Sequence, residues 1–226
     1  MLTLSPRLHC AASLLQGGRT VDIGTDHAFL PVYLIQNGKC EHVLACDIGL
    51  QPLKNAEKTI VRFGLSSAIE LRLSDGLQNV QPDEADEICI CGMGGTLIVD
   101  ILSAIDWIRR PGQRLVLQPM THADDVREFL CRSGFSITRE MCMRDGKRVY
   151  CCIAAVYDGN VDVRTPGYWY FGTLMGEKGD ASQFVKREYT RIKKAEAALA
   201  VSGRRPRERE RLRLAIDEFE RFMNDG

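Results

Sequence analysis

The feature that most constrains the fold is a regular alternation of short apolar runs and amphipathic stretches over the first two-thirds of the chain. Seven runs have the length and residue types of β-strands, at 19–23, 42–46, 68–73, 85–91, 113–118, 135–143 and 148–156. Helix-like segments separate the first six, at 28–37, 50–63, 95–108 and 122–133, with a looser stretch at 75–84. Such alternation predicts an α/β fold with a parallel sheet covered by helices on both faces.

The last two runs break this alternation. Only the letters "RDGK" separate them, and Asp145-Gly146 is a strong signal for a tight hairpin. We therefore expect a seven-stranded, mostly parallel, doubly wound sheet that ends in an antiparallel strand. Ahead of the sheet, Ser5-Pro6 predicts the start of an N-terminal helix, which Gly17-Gly18 ends.

The C-terminal third has a different pattern. Residues 158–181 are rich in glycine and aromatic residues and predict a connector that packs on the sheet. Two helical segments follow, at 182–201 and 206–223, with apolar residues three and four apart and the letters "SGRRP" near their junction. This predicts an antiparallel helical hairpin, a short coiled coil. The expected division is a domain at 1–157, a connector at 158–181 and a hairpin at 182–226.

Charge and cysteine content limit the possible functions. The 30 basic and 30 acidic residues cancel, so the whole chain is not a general polyanion binder. Residues 182–226 nevertheless carry 12 Lys and Arg against 8 Asp and Glu, which suits local contact with RNA but also suits solvated helix faces. The nine cysteines form no CxxC pair and lie mostly in apolar runs, which predicts reduced thiols in a cytoplasmic protein without a metal site. The absence of a signal peptide or a long apolar span disfavours secretion and membrane insertion.

Carboxylates or glycine turns stand at the ends of the first four predicted strands. Asp22 ends the first strand, Asp47 ends the second, and Asp75 follows the third. The fourth runs directly into the turn "GMGG" at 92–95. Because the carboxyl ends of parallel strands meet at one edge, where ligands bind, we expect these residues to line one ligand site.

The loop after the first strand indicates which ligand this is. Asp26 and Ala28 stand where a dinucleotide-binding loop is expected to have its second and third glycines. A pyrophosphate prefers bare backbone N–H groups, and each like-charge contact at about 4 Å costs on the order of 4 kcal/mol at an effective dielectric near 20. S-adenosylmethionine carries a sulfonium and an ammonium group and no phosphate. The loop therefore favours S-adenosylmethionine over NAD, with Asp47 placed for ribose hydroxyls and Asp75 for the adenine amino group.

Simpler explanations of these residues stay open. A strand-end aspartate is often only a helix cap or turn residue, which is a stronger alternative for Asp75 than for Asp22 and Asp47 together. His27 also fits a residue packed under the loop. The pair Gly94-Gly95 indicates a close approach of the backbone to a neighbour that the sequence does not identify.

Several motifs together resemble the bacterial TrmK family over about residues 1–157. They are "DIGTDHAFLP", the acid at Asp47, "SDGL" at 74–77, "ICGMGG" at 90–95 and "LVLQP" at 115–119, extended by "LSPRL" and "RDGK". Members of this family are S-adenosylmethionine-dependent methyltransferases that modify N1 of adenine 22 in tRNA. The resemblance implies a Rossmann-like class I methyltransferase domain followed by a helical coiled coil. It also implies S-adenosylmethionine as the cofactor and tRNA as the partner.

The resemblance implies a role for each matching residue. Those around the methionine part of the cofactor are Asp22, Gly24, Thr25, Asp26 and His27. Asp47 and Ile48 would lie at the ribose and the adenine ring, and Asp75 and Gly76 at the adenine edge. The residues beneath the sulfonium would be Gly92, Met93 and Gly94. The fourth strand lacks the "NPPY" of amino-group adenine methyltransferases, which fits a ring-nitrogen target.

Adenine N1 has an in-plane lone pair and can attack a methyl group without first losing a proton. The rate then depends on alignment and on a site that suits positive charge on the adenine. A nearby base could take the N6 proton from the cationic product. Asp26 is the first candidate for this catalytic role, His27 the second and His122 the third.

The predicted substrate-binding residues are spread over the chain. They are Arg7, Pro119, His122, Arg204, Arg205 and Arg207. The last three belong to an arginine cluster at the hairpin tip that could follow the tRNA backbone, although Glu208 and Glu210 leave ion pairing on the helix surface as an alternative. A methyltransferase for another RNA, a protein or a small molecule also remains open, as does a non-catalytic RNA-binding module with this fold.

Overall fold

The computed structural model describes residues 1–225. Its seven strands are β1 (Thr20–Ile23), β2 (Val43–Asp47), β3 (Ile69–Leu73), β4 (Glu87–Met93), β5 (Arg114–Pro119), β6 (Phe135–Asp145) and β7 (Arg148–Tyr157). Its eight α-helices are α1 (Pro6–Leu14), α2 (Phe29–Gln36), α3 (Leu50–Arg62), α4 (Gly95–Ser103), α5 (Ala123–Arg132), α6 (Pro166–Phe171), α7 (Asp180–Ser202) and α8 (Pro206–Asp225). Short 3₁₀ helices span Pro82–Glu84 and Gly172–Leu174.

The strands form one sheet in the order β3-β2-β1-β4-β5-β7-β6. Strands β1 to β5 pair in parallel, and β7 runs antiparallel to both β5 and β6. The predicted seven-stranded, mostly parallel sheet is therefore confirmed, as is the hairpin at its end. The chain reverses between β1 and β4, which leaves a crevice at the carboxyl ends of these strands, the usual ligand position in such sheets.

Both faces of the central strands are buried, because successive side chains point to opposite sides. On one face, Cys89 and Val116 pack with apolar residues of α1 and α2. On the other, Ile88 and Leu115 belong to a cluster that continues through α4 and α5 into α6, α7 and α8. Near-continuous apolar runs in β1, β2 and β4 follow from this two-sided burial.

The predicted helix at 95–108 is too long, since α4 ends at Ser103. The apolar pattern continues through Trp107 and Ile108, but Ile108 is fully buried in a turn that leads to β5, rather than on a helix. A hydrogen bond from the backbone N–H of Arg109 to the carbonyl of Asp106 closes that turn at 3.0 Å. Burial alone could not distinguish a packed turn from a further helical turn.

The C-terminal helices α7 and α8 run antiparallel. Glu196 pairs with Arg209, and the Tyr189 hydroxyl donates to Glu220 at 2.5 Å, so later positions on α7 meet earlier positions on α8. Their inner faces, including Phe184 and Phe219, join the apolar cluster of the sheet. The predicted helical pair is confirmed, whereas the division at 157 and 181 stays a prediction. Within residues 1–225, no helix is both long enough and apolar enough to cross a bilayer.

A buried ion pair fastens these helices to the sheet. The Nε atom of Arg127 on α5 lies 2.7 Å from Oε1 of Glu140 on β6, and both side chains are fully buried. The Arg127 guanidinium also donates to the carbonyls of Trp169 and Tyr170 on α6, at 3.0 and 3.2 Å. The second Glu140 oxygen accepts the backbone N–H of Thr173 at 2.6 Å. Charge is tolerated here because these groups satisfy one another.

Candidate active site

The loop between β1 and α2 is held against the end of β2. The backbone N–H groups of Gly24 and Thr25 donate to the carbonyl of Cys46 at 2.9 and 3.0 Å. The loop then places Asp26 and Ala28 in the left-handed region, with φ of 48° and 54°. Non-glycine residues rarely adopt this backbone conformation, and it concentrates at ligand-binding sites.

Asp22 lies within β1, below this loop, and only 4% of its surface is exposed. Burial raises the pKa of its carboxyl group to about 6, and the Asp47 carboxylate adds to the effect. The Thr25 side chain lowers the pKa of Asp22 and so offsets part of this rise. The Thr25 hydroxyl oxygen is itself buried and makes no hydrogen bond of normal geometry within residues 1–225. A buried carboxyl group and an unsatisfied hydroxyl both suit a cation that carries N–H donors.

A cavity of about 170 Å³ opens at this loop. Five of the predicted cofactor residues line it, namely Asp22, Gly24, Thr25, Asp26 and His27. Arg7 and Leu8 close it on the α1 side and Phe29 on the α2 side, and Cys91 also lines it. The structure thus brings predicted cofactor residues and one predicted substrate residue, Arg7, to the same cavity.

The two first candidates for the catalytic base lie side by side. His27 Nε2 is 3.6 Å from the Asp26 carboxylate, and both side chains are about half exposed. The His27 ring stacks on Phe29 with a centroid distance of 5.1 Å. Both polar groups are therefore accessible from solvent, as a group that accepts a proton from a large substrate has to be.

The residues predicted for the ribose and adenine meet at the ends of β2 and β3, outside the first cavity. Asp47 is nearly buried, and its two oxygens accept the backbone N–H groups of Gly49 at 2.9 Å and Asp26 at 3.3 Å. Ile48 beside it is 69% exposed, a large apolar surface without cover. The N–H of Ser74 donates to the Asp47 carbonyl at 2.9 Å, which sets the exposed Asp75 next to this edge.

Glycines at this edge make room for the chain's own side chains. A Cβ on Gly24 would overlap the methyl group of Met93, and a Cβ on Gly76 would come within 2.8 Å of Ile101. Gly92, with a φ of 81°, passes beneath the Arg7 guanidinium.

The predicted close approach at Gly94-Gly95 has an identified neighbour, the loop after β5. Gly95 donates its N–H to the Thr121 carbonyl at 2.8 Å, and a Cβ on it would overlap the His122 carbonyl. Gly94 faces the Thr121 hydroxyl. The backbone of Met120 donates to Met93 at 2.8 Å. The "GMGG" turn is therefore shaped for the loop at 119–122.

A second cavity, of about 320 Å³, lies on the other side of that loop, between β7 and α7. Two predicted substrate residues, Pro119 and His122, line it. His122 has a left-handed backbone with φ of 52°, and its half-exposed imidazole is 3.9 Å from Asp125. His122 thus lines a different cavity from the one that holds Asp26 and His27. We call this second cavity the β7–α7 groove.

Comparison with known proteins identifies the fold and the family. A family model described as a methyltransferase domain matches residues 4–153. The tRNA (adenine(22)-N(1))-methyltransferase of Bacillus subtilis (strain 168) is 38% identical over 166 residues, which cover 70% of each chain. The chain belongs to the bacterial TrmK family. The expectation drawn from its motifs is confirmed.

Solved TrmK-like structures match nearly the whole chain. The B. subtilis m1A22 tRNA methyltransferase TrmK is 26% identical, with a TM-score of 0.82 and coverage of 99% of both chains. A Streptococcus pneumoniae protein solved in complex with S-adenosyl-L-methionine is 27% identical, with a TM-score of 0.81 and coverage of 98% of this chain and 100% of that one. The likeness therefore includes the C-terminal helices, where the sequence motifs are weakest.

The arginines at and just beyond the hairpin tip of this TrmK member divide into two groups. Four arginines near the hairpin tip form ion pairs with glutamates, in the pairs Arg205–Glu208, Arg209–Glu196, Arg211–Glu128 and Arg213–Glu210. Arg204 and Arg207 are exposed and have no ion-pair partner in the described part of the chain. Ion pairing on the helix surface, the open alternative, thus accounts for much of the cluster. The role of Arg204, Arg205 and Arg207 in binding substrate stays a prediction.

Sequence reasoning missed Gln118 on β5. Its side chain is fully buried, and its oxygen accepts a hydrogen bond from Arg7 Nη1 at 3.1 Å, which holds Arg7 over the "GMGG" turn. Asp145 lies 3.8 Å from the Nε of the same arginine. The sequence contains a signal for this residue, because glutamine is rare in a buried strand and Gln118 stands in the apolar run "RLVLQP".

A metal ion is not assigned. The ligand atoms of His122, Asp124 and Asp125 lie within 4.8 Å of one another. However, Asp124 already pairs with Arg191 Nη2 at 3.1 Å, and burial raises the pKa of its carboxyl group. All nine cysteines are free thiols.

Proposed function

We propose that this protein is an S-adenosylmethionine-dependent methyltransferase that methylates N1 of adenine 22 in tRNA. Family membership supports the reaction class, and the name of the B. subtilis relative supports the substrate. The observation that carries the proposal is local. Asp22, whose buried charge a bound cation would stabilise, and the Thr25 hydroxyl, which lacks a hydrogen-bond partner, line one cavity. The accessible Asp26 and His27 line the same cavity.

The residues present fit the cofactor at each of its groups. Asp22 and Thr25 would hold the ammonium end, because a positive charge there stabilises the ionised carboxylate that burial disfavours. Asp47 would hold the ribose, the exposed Ile48 would cover the adenine ring, and Asp75 would accept from its amino group. When bound, the cofactor supplies an electrophilic methyl group.

The protein's own residues then position the target and remove a proton. Holding N1 in line with the methyl group accounts for most of the acceleration available to such a transfer. The Asp26 carboxylate suits the positive charge that develops on the adenine and accepts the N6 proton. His27, 3.6 Å away, is placed to accept the proton in its stead.

The target base has to leave its stack before it can enter the site. Arg204 and Arg207, free of ion pairs within residues 1–225, supply positive charge for the tRNA backbone at the hairpin tip. We also place the protein in the cytoplasm, where tRNA is modified and where nine free thiols remain reduced.

The deciding experiment is mass spectrometry of tRNA nucleosides after incubation with protein and cofactor. We expect 1-methyladenosine in a wild-type transcript and none in a transcript that carries guanosine at position 22. Methylation that persists in the second transcript would reassign the target. Failure to bind S-adenosylmethionine in calorimetry would instead support a non-catalytic RNA-binding module.

A further inference from the structure

The β7–α7 groove is nearly twice the volume of the first cavity, about 320 against 170 Å³. The loop at 119–122 forms its floor. Arg148 and Tyr150 on β7 form one wall, and Arg187, Glu188 and Arg191 on α7 form the other. The groove therefore combines three guanidinium groups with one carboxylate, the imidazole of His122 and two aromatic rings, Tyr150 and Phe184.

Two of the three arginines are fixed in place. Glu188 lies between them, 2.7 Å from Arg191 Nε and 3.1 Å from Arg187 Nη2. Arg187 also donates to the Val149 carbonyl on β7 at 2.6 Å, and Asp124 neutralises Arg191 from behind. This network orders the α7 wall and cancels most of its charge.

Arg148 is the unneutralised cation of the groove. It is exposed, and its side chain makes neither a hydrogen bond nor an ion pair with any residue in 1–225. A guanidinium without a partner, next to others that are held in place, can donate hydrogen bonds to an anion with several oxygens, such as a phosphodiester.

Tyr150 stands two positions further along the same strand and so on the same face of the sheet as Arg148. It is half-buried, its hydroxyl is unbonded, and its ring has no aromatic neighbour in the described chain. The two residues are about 7 Å apart along the strand backbone, and unpaired RNA bases stack on aromatic rings such as that of Tyr150.

The groove also lies where an RNA substrate would pass. Its floor touches the "GMGG" turn, through the hydrogen bonds from Met120 to Met93 and from Gly95 to Thr121, both 2.8 Å. Its α7 wall leads to the hairpin tip, since Arg204 is about 20 Å along the helix from Arg191. RNA that ran from the active-site edge to the tip along α7 would pass this groove.

We propose that the β7–α7 groove binds the nucleotide next to the target adenosine, with its phosphate on Arg148 and its base on Tyr150. The assignment rests on the proposed function. It adds to it a specific contact that holds the strand while the target base is extruded.

The first test compares Arg148→Ala, Arg148→Lys and the control Arg139→Ala. Arg139 is an exposed arginine on the same hairpin that does not line the groove, so its loss changes the net charge equally. We expect Arg148→Ala to raise the KM for tRNA roughly tenfold and to lower the salt dependence of binding by about one ion. Arg148→Lys keeps most of the affinity, Arg139→Ala matches the wild type, and cofactor affinity is the same in all.

The second test places a neutral methylphosphonate linkage, with a 2′-deoxy sugar, on either side of adenosine 22. We expect wild-type binding to weaken at one of these linkages and Arg148→Ala to show no further loss there. Tyr150→Phe is expected to keep the KM, whereas Tyr150→Leu raises it at least fivefold through lost stacking.

The outcomes separate the two proposals. If the wild type methylates tRNA but Arg148→Ala and Arg139→Ala have equal KM values, the groove assignment is wrong and the proposed function stands. Binding of adenosine monophosphate that depends on Arg148, with an unchanged KM for tRNA, would overturn it in favour of a small-nucleotide site. If the wild type does not methylate tRNA, both proposals fail together.

Discussion

Replacement of Asp22 by Asn tests the central electrostatic feature of the site. Burial raises the pKa of this carboxyl group from 3.8 to about 6. A difference of one in pKa corresponds to about 1.4 kcal/mol, so the buried charge costs the folded state about 3 kcal/mol at neutral pH. Asn has nearly the same shape and no charge. We therefore expect Asp22→Asn to raise the free energy of unfolding of the ligand-free protein by up to about 3 kcal/mol at pH 7.5.

The stability difference between Asp22→Asn and the wild type depends on pH in a direction that the two pKa values determine. Below pH 3.8 the carboxyl group is neutral in both the folded and unfolded states, and its charge costs nothing. Between 3.8 and about 6 only the unfolded state ionises, so the cost grows with rising pH, and above about 6 it is constant. The gain from Asp22→Asn should fall below about 1 kcal/mol near pH 4.

The assay is urea denaturation of both proteins from pH 4 to 8, paired with calorimetry of S-adenosylmethionine binding. The variant should be more stable and should bind the cofactor at least tenfold more weakly, since the ammonium loses its carboxylate. Asp217→Asn, an exposed aspartate on α8, serves as the control and should change neither quantity. Equal stability of Asp22→Asn and wild type at every pH, with cofactor affinity intact, would refute the reasoning.

Three further predictions concern other parts of the molecule. Glu140→Gln leaves Arg127 charged and buried, so we expect a loss of about 3–5 kcal/mol in the free energy of unfolding, measured by urea denaturation. A loss below 1 kcal/mol would mean that the neutral amide and the carbonyls of Trp169 and Tyr170 suffice to stabilise the Arg127 charge. Asp26→Asn should lower kcat more than cofactor affinity, and equal losses in kinetics and calorimetry would make it a binding residue only. Gly95→Ala should cost about 1–3 kcal/mol because its Cβ meets the His122 carbonyl, and unchanged thermal stability would show that the loop can yield.

Local periodicity predicted most of the fold. The alternation of strands and helices and the Asp145-Gly146 turn are properties of neighbouring residues, so the sheet and its hairpin could be read directly. The end of α4 could not, because Trp107 and Ile108 are buried in a turn as they would be in a helix. Only the tertiary contacts distinguish the two cases.

The candidate site was predictable where topology determines it. Parallel strands bring Asp22, Asp47 and Asp75 to one edge, whatever the details of the loops. The partner of Gly95 was not predictable, since it lies on a separate loop. The same holds for the Arg127–Glu140 pair, whose members belong to different elements and carry no motif.

That pair has a consequence for substrate choice. It fastens α6 to the sheet, and the Arg144–Asp180 pair holds the start of α7 on β6. Helix α7 has 23 residues, about 34 Å of helix. The length of α7 therefore sets how far the arginine tip lies from the point where this helix leaves the sheet. An RNA that touches both points has to present its adenosine and its backbone at a matching separation. With RNA bound at the tip as proposed, the protein would select among folded RNAs by their dimensions as well as by the base that it modifies.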